Sequence, residues 1–262
     1  MVDLHNHTSL CKHAEGTPQE YIDQAIKKGI KIYGFADHAP MEFDKKYRMS
    51  FEDMKNYEND IKILKEKNKD IIKILLGYEV DFTPTKYLDK RVLNADVDYL
   101  IGSVHFLDNW GFDNPEFIKE WDKRDVEDVY KEYFEHIKNL AKSRLFQIVG
   151  HIDLIKVFGH KPKTPITDLA YEAIKEIKKA NMAVEINTAG LKKPVKELYP
   201  SDELLELILN EGIDLTLSSD AHSPSQVGFK YDETLKKLKE MGIKELVYFE
   251  KKEKKKINLE DG

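Results

Sequence analysis

The chain has 262 residues, a formal net charge of −6 and one cysteine, and no apolar run in it is long enough to span a bilayer. The acidic balance gives no electrostatic case for nucleic acid or a membrane surface, and a single cysteine, Cys11, excludes an internal disulfide framework. Without a signal-like apolar stretch at the N-terminus, the expectation is a cytoplasmic protein whose length suits one α/β barrel domain over 1–262.

The first predicted element is the strand VDLHNHT at 2–8. His5 and His7 are two apart and so leave the same strand face, and His13 follows after a short polar turn. At this point two readings stand, a hydrated surface strand or a metal site assembled where a strand ends. TPQE at 17–20 then signals a helix start, with Thr17 as cap, Pro18 at the first helical position and Glu20 returning the capping-box bond. Ile22, Ala25 and Ile26 form its apolar stripe, and Gly29 ends it.

A second strand is expected at 30–38 (IKIYGFADH), followed by a long connection over 39–50. Ser50 with Asp53 repeats a weaker cap before a charged helix to about Asn68. Strands at 71–82 and 97–105 come next, then a connection over 106–124 carrying Trp110, Phe112 and Trp121. These aromatics either line a pocket mouth or pack the loop onto the barrel. Helix 126–143, strand 146–153, a helix from Thr164–Pro165 to Ala180 and strand 182–189 follow. Ser201 opens a helix that stops at Gly212, and strand 213–222 and a helix at 232–241 complete the rhythm. The run ELVYFE at 245–250 is expected to close or flank the sheet, and KKEKKK at 251–256 to be a solvated terminal segment. Strands alternating with helices predict βα units around a parallel sheet, and no Gly-, Ser- or Pro-rich linker divides them.

Seven of the nine histidines fall in or just after predicted strands: His5, His7, His13, His38, His105, His151 and His222. Asp3, Asp37, Glu79, Asp81, Asp153, Glu185 and Asp220 accompany them. One histidine at a strand end is ordinarily structural. Recurrence on five of seven strands is another matter, because a parallel barrel gathers those ends onto one face. Neutral imidazole donates nitrogen to a borderline metal, and a carboxylate neutralises two cations while bridging them. Two divalent ions about 3.5–4 Å apart hold a hydroxide and clamp the oxygens of a transferred phosphoryl group. No phosphate loop, dinucleotide fingerprint, H-E-x-x-H or G-x-S-x-G element competes. Cys11 beside His13 has nothing to orient it as a nucleophile.

The ordered motifs HNH at 5–7, His13, ADH at 36–38, GYEVD at 77–81, GSVH at 102–105, GHID at 150–153, EINTAGL at 185–191 and SDAH at 219–222 resemble the polymerase and histidinol phosphatase superfamily, in its histidinol-phosphate phosphatase branch. The resemblance spans about residues 3–230. It implies a distorted, TIM-like (β/α)7 barrel with three divalent metal ions, zinc, manganese or iron, at the C-terminal ends of the strands. By position, His5, His7, Glu79 and Asp220 resemble ligands of the first metal, with Glu79 bridging to a second held by His105 and His151. His13, His38 and His222 resemble the ligands of the third. Every ligand position is filled.

The same branch commonly brings arginines to phosphate after the GHID and NTAG motifs; here Lys156 and Lys192 stand there, keeping the charge but losing the bidentate fork. Asp37 and Asp153 are expected to orient an imidazole or take a proton. Phe106 is a candidate neighbour for the substrate's amine and imidazole, and Glu185 and Asn187 either contact the substrate's polar end or brace the barrel. The expected reaction is hydrolysis of a small phosphorylated amino alcohol, L-histidinol phosphate, by an in-line hydroxide held near Glu79. Competing readings are another phosphoesterase or a small-substrate nuclease with the same metals, and a noncatalytic metal-binding protein.

Overall fold

The computed structural model describes residues 1–83 and 86–259. Its elements in chain order are β1 (Val2–Asp3), α1 (Pro18–Lys27), β2 (Ile32–His38), α2 (Met54–Asn68), β3 (Lys73–Asp81), α3 (Lys90–Leu93), β4 (Tyr99–Ser103), β5 (Phe106–Leu107), β6 (Trp110–Gly111) and α4 (Val126–Ser143). There follow β7 (Ile148–Val149), α5 (Ile166–Lys179), β8 (Ala183–Asn187), α6 (Asp202–Asn210), β9 (Leu215–Ser218), α7 (Tyr231–Glu240), β10 (Glu245–Glu250) and β11 (Glu253–Asn258). Seven strands pair in parallel in the order β1-β2-β3-β4-β7-β8-β9. Across the seam Leu4 N donates to Leu217 O (3.2 Å) and His7 N to Ala221 O (3.0 Å), so the barrel is nearly closed.

Local signals explain most helix starts. The Thr17–Glu20 capping box forms with Pro18 in the first turn. Ser50 and Asp53 also exchange bonds, but they close a turn and α2 begins later, at Met54. Inside the barrel Tyr99 crosses from β4 to donate to Leu4 O at 2.5 Å. Glycine at 34 makes the room, since a Cβ there would lie 2.0 Å from the Tyr99 hydroxyl.

Three expectations are corrected. The strands are shorter than their apolar runs: β1 ends at Asp3 and β7 at Val149, because the chain beyond turns into loops that present side chains at the rim. Segment 251–256 is mostly exposed, as its composition implies, but it is strand rather than irregular chain. It turns back as β11 on β10, burying Leu246, Val247 and Phe249, while Lys252 N donates to Asp98 O (2.7 Å) and Lys254 to Asp214 (2.8 Å). The β10–β11 hairpin is a separate two-stranded sheet and adds no strand to the barrel. In the 106–124 connection, β5 and β6 form a small hairpin, and Trp110, Phe112 and Trp121 are buried, which decides for packing over a pocket mouth.

Candidate metal centre

Each rim residue is delivered by the end of a strand. His5 and His7 follow β1, His38 closes β2, Glu79 and Asp81 end β3, and His105 and His151 lie two residues beyond β4 and β7. Asp220 and His222 follow β9, where Asp220 takes a left-handed backbone (φ 49°) that aspartate tolerates better than most residues. The parallel register sets His38 directly beside Glu79.

Five imidazoles surround the buried Glu79 carboxylate. Its Oε2 faces His38 Nδ1 (2.8 Å), His5 Nε2 (3.3 Å) and His7 Nε2 (3.8 Å), and its Oε1 faces His151 Nε2 (3.0 Å) and His105 Nε2 (3.4 Å). Asp220 Oδ1 lies 3.1 Å from His7 Nε2. Beside them His13 and His222 bring their Nε2 atoms within 3.1 Å of each other.

The outer partners decide which nitrogens are bare. His5 Nδ1 donates to Glu185 (2.7 Å), His105 Nδ1 to Asp81 (2.7 Å) and His7 Nδ1 to Asp37 (3.3 Å). His13 and His222 turn Nδ1 toward carbonyl oxygens of Cys11 (2.8 Å) and Asp220 (3.2 Å), which can only accept. In a neutral imidazole the other nitrogen is then a lone pair. Two such lone pairs face each other between His13 and His222, which is repulsive until a cation enters. The Nε2 atoms of His5, His7 and His105 face carboxylate oxygens, positions that must hold either a proton or a metal cation. His5 Nε2 and His38 Nδ1 are buried without a hydrogen-bond partner, which fits the same need.

The electrostatics agree. Burial opposes charge on Glu79, but His5, His38 and His105 outweigh it and hold the carboxyl well below its ordinary value. Burial likewise opposes a proton on His7 and His105, yet Asp220 and Asp37 raise His7 to about 9, and Asp81 and Glu79 raise His105 to about 10. The carboxylates therefore demand positive charge. His38 differs: burial lowers it to about 4, and burial with the neighbouring His7 lowers His13 and His222 too, leaving three neutral nitrogen donors. The groups His7–His38–His222 and His5–His7–Glu79 each bring ligand atoms within 4.8 Å of one another. The donor set fits divalent metal.

A cavity of about 500 Å³ opens onto these residues. Its walls include Tyr47, Arg48, Phe106, Asp113, Phe117, Lys192, Lys193 and Tyr199. Phe106 and Lys192 are where the sequence placed them, at the cavity, with Lys192 Nζ donating to Gln226 (3.0 Å). Asp37 orients His7 as expected.

Other expected residues sit elsewhere. Lys156 lies in a larger cavity of about 760 Å³ that contains none of the rim histidines; its ammonium is engaged by Asp153 (3.0 Å), Glu197 (3.0 Å) and Leu198 O (2.8 Å), which corrects its expected phosphate contact. Asp153 turns from His151 to accept from Ser201 N (2.8 Å), so it orients no imidazole. Glu185 and Asn187 lie beneath the centre: Glu185 accepts from His5, His151 N (2.7 Å) and Asn187, and Asn187 also reaches Asp220 (3.1 Å). Of the two roles open to them from sequence, these bonds are those of braces. Buried Cys11 has its thiol pushed up by burial, so no thiolate forms there.

Sequence reasoning missed Arg48, Asp81 as the partner of His105, Asp113, Lys193 and Tyr199. Asp113 stood as an acid among aromatics in a long loop following a strand, a signal that was readable.

Comparison with known proteins gives a consistent picture. The PHP domain family model matches residues 3–189. A probable histidinol-phosphatase of Deinococcus radiodurans is 38% identical over 256 residues, covering 96% of this chain and 98% of that protein. The histidinol-phosphatase of Bacillus subtilis is 28% identical over 267 residues, with 90% and 98% covered. A crystal structure of Lactococcus lactis histidinol phosphate phosphatase, in complex with zinc, L-histidinol and phosphate, superposes with a TM-score of 0.77 at 23% identity, covering 97% of this chain and 98% of that one. That likeness is one of fold. Asp220 and His222 lie beyond the family-matched segment, yet the barrel seam brings them to the same centre.

Proposed function

The chain belongs to the PHP domain family, and on that premise we propose that it is a metal-dependent phosphatase that hydrolyses L-histidinol phosphate to L-histidinol and phosphate in histidine biosynthesis. The observation that carries the metal chemistry is the ring of bare imidazole nitrogens around Glu79 and between His13 and His222. The substrate follows from the relatives, which are named for this reaction over nearly their full length, and from the L-histidinol and phosphate held by the Lactococcus lactis protein.

In this reading three divalent ions, zinc, manganese or iron, are held: the first by His5, His7, Glu79 and Asp220, the second by Glu79, His105 and His151, the third by His13, His38 and His222. Such ions supply an activated water at neutral pH and neutralise charge on the phosphoryl oxygens. Asp37, Asp81 and Glu185 keep the Nδ1 protons of His7, His105 and His5, so that each Nε2 stays free to ligate. Lys192 and Lys193 add positive charge on the cavity wall for the phosphate. Phe106 offers a flat apolar face for the imidazole ring. The whole of 1–262 acts as one barrel domain, in the cytoplasm, on a small soluble ester.

The test is steady-state kinetics on protein of measured metal content. L-histidinol phosphate is compared with other amino-alcohol and sugar phosphates, a phosphodiester and short oligonucleotides. L-histidinol phosphate is expected to lead the panel in kcat/KM by at least about 10²-fold, within the roughly 10⁴–10⁵-fold reach of a site built to hydrogen-bond its substrate. Preferential turnover of the diester or the oligonucleotides would replace this function by a nuclease-like one, and metal-loaded protein with no turnover would make it a binding protein.

A further inference from the structure

L-histidinol phosphate carries a phosphate and, on the carbon next to the phosphorylated one, an ammonium, with the imidazole at the far end, and the cavity must receive all three. The phosphate is provided for by the histidine centre and by Lys192 and Lys193. The ammonium is harder to place. It has three N–H donors and no acceptor, so it needs anionic or neutral oxygen atoms and must keep away from cations.

Four carboxylates line the cavity: Asp44, Glu79, Asp113 and Asp220. Asp44 is paired with Arg48, whose Nη2 lies 2.9 Å away and whose other donors go to Ala39 O, Asp44 O and Asp81. Glu79 and Asp220 face imidazoles. Asp113 remains: among the described residues no other side chain lies within hydrogen-bond or ion-pair distance of its carboxylate, and the positive groups that act on it from further off are His105, Lys193 and His151. Glu185, the acid that sequence suggested for this purpose, is buried on His5 and His151 and does not reach the cavity.

A second unused oxygen lies on the same cavity. The Tyr199 hydroxyl is buried and has no hydrogen-bond partner, on a residue that lines the same cavity as Asp113. Both residues are presented by anchored backbone. Tyr199 pairs with Asn187 at the end of β8, N to O at 3.1 Å and O from N at 2.7 Å. Around Asp113, Phe112 N donates to His105 O (3.3 Å), Trp121 Nε1 to Phe112 O (3.0 Å) and Asn114 N to Gly111 O (3.2 Å). Trp121 in turn stacks on His160 at 4.3 Å. An acid held this firmly, unpaired and facing a cavity, is organised for a cationic group arriving from outside.

We propose that Asp113, with Tyr199 on the wall of the same cavity, binds the ammonium of the substrate and sets the enzyme's preference for amino-alcohol phosphates over plain alkyl phosphates. This rests on the phosphatase reading above. It also gives the buried aromatics of the 106–124 connection a purpose, since they brace the loop that carries the specificity residue.

The experiment compares L-histidinol phosphate with its desamino analogue, 3-(imidazol-4-yl)propyl phosphate, on metal-loaded wild type, D113N, D113E and Y199F, with metal content and thermal midpoint measured for each. Wild type is expected to prefer the amino ester. D113N is expected to cut that preference, as a ratio of kcat/KM values, by about 10²-fold, the worth of a hydrogen bond to a charged group, and chiefly through KM. D113E should recover part of it, and Y199F should lower it by about tenfold. An unchanged ratio in D113N and Y199F, or equal losses on both esters, overturns the proposal while leaving the phosphatase reading intact. Failure of the wild type to hydrolyse either ester removes the phosphatase reading, and the ammonium site with it.

Discussion

At the scale of single residues the centre depends on which nitrogen of each histidine is bare, and that is set one bond further out. Asp81 shows this best. Its carboxylate accepts from His105 Nδ1 (2.7 Å) with one oxygen and from Arg48 Nη2 (3.0 Å) with the other, both within the buried interior. Burial opposes its charge, but His105 and Arg48 hold it well below the usual carboxylate range. The D81N substitution keeps the shape but offers one acceptor and one donor where two acceptors are needed, so either Arg48 or His105 meets an N–H head-on. Metal affinity is expected to fall about 10–100-fold, with turnover following metal occupancy. A metal titration showing wild-type affinity would remove Asp81 from its assigned role. Glu79 and Asp81 were legible as a same-face pair, two apart on a strand. The pairing of Asp81 with His105 was not, because it depends on how β3 registers against β4, with Asp81 opposite Ser103.

Elements were legible where their signals are local. The Thr17–Glu20 box involves four consecutive residues, and it forms as read. Strand lengths were not, because an apolar run continues past the last ladder bond wherever the chain turns to present a rim residue, as after Val149. The lysine-rich end is exposed as read, but its strand pairing was not legible, for a related reason. Its composition is that of a solvated segment, yet β11 needs only to cover one edge of β10, whose Leu246, Val247 and Phe249 supply the burial. Phe249→Ala is therefore expected to destabilise the chain by about 3–5 kcal/mol, lowering the melting midpoint on the order of 10 °C. Thermal unfolding of the metal-loaded protein checks this, and a shift under about 2 °C would mean that the hairpin is peripheral to stability.

For the molecule as a whole, function and stability meet at the metal. The folded barrel concentrates Glu79, Asp220, Asp37, Asp81 and Glu185 around imidazoles whose free nitrogens face inward, and the unfolded chain has no such site. Metal bound only by the native state must stabilise it, by about 2.7 kcal/mol at a free concentration a hundred times Kd. Removing metal with a chelator is expected to abolish turnover and lower the melting midpoint together, and restoring zinc or manganese to recover both. Full turnover from protein measured as metal-free would refute the reading of the centre.

By itself the sequence determined the alternation of strands and helices, the residue types capable of holding metal, and their positions at strand ends, because periodicity, caps and donor chemistry are properties of short stretches. Only the tertiary structure decided which acids brace the histidines and which face the cavity. Glu185 turned inward, Lys156 turned to another cavity, and Asp113, carried by a packed loop, was left on the wall of the cavity over the histidine centre. The physical reason is that a side chain's role here follows from which partner neutralises it, and those partners lie up to 213 residues away along the chain, joined only by the closure and register of the barrel.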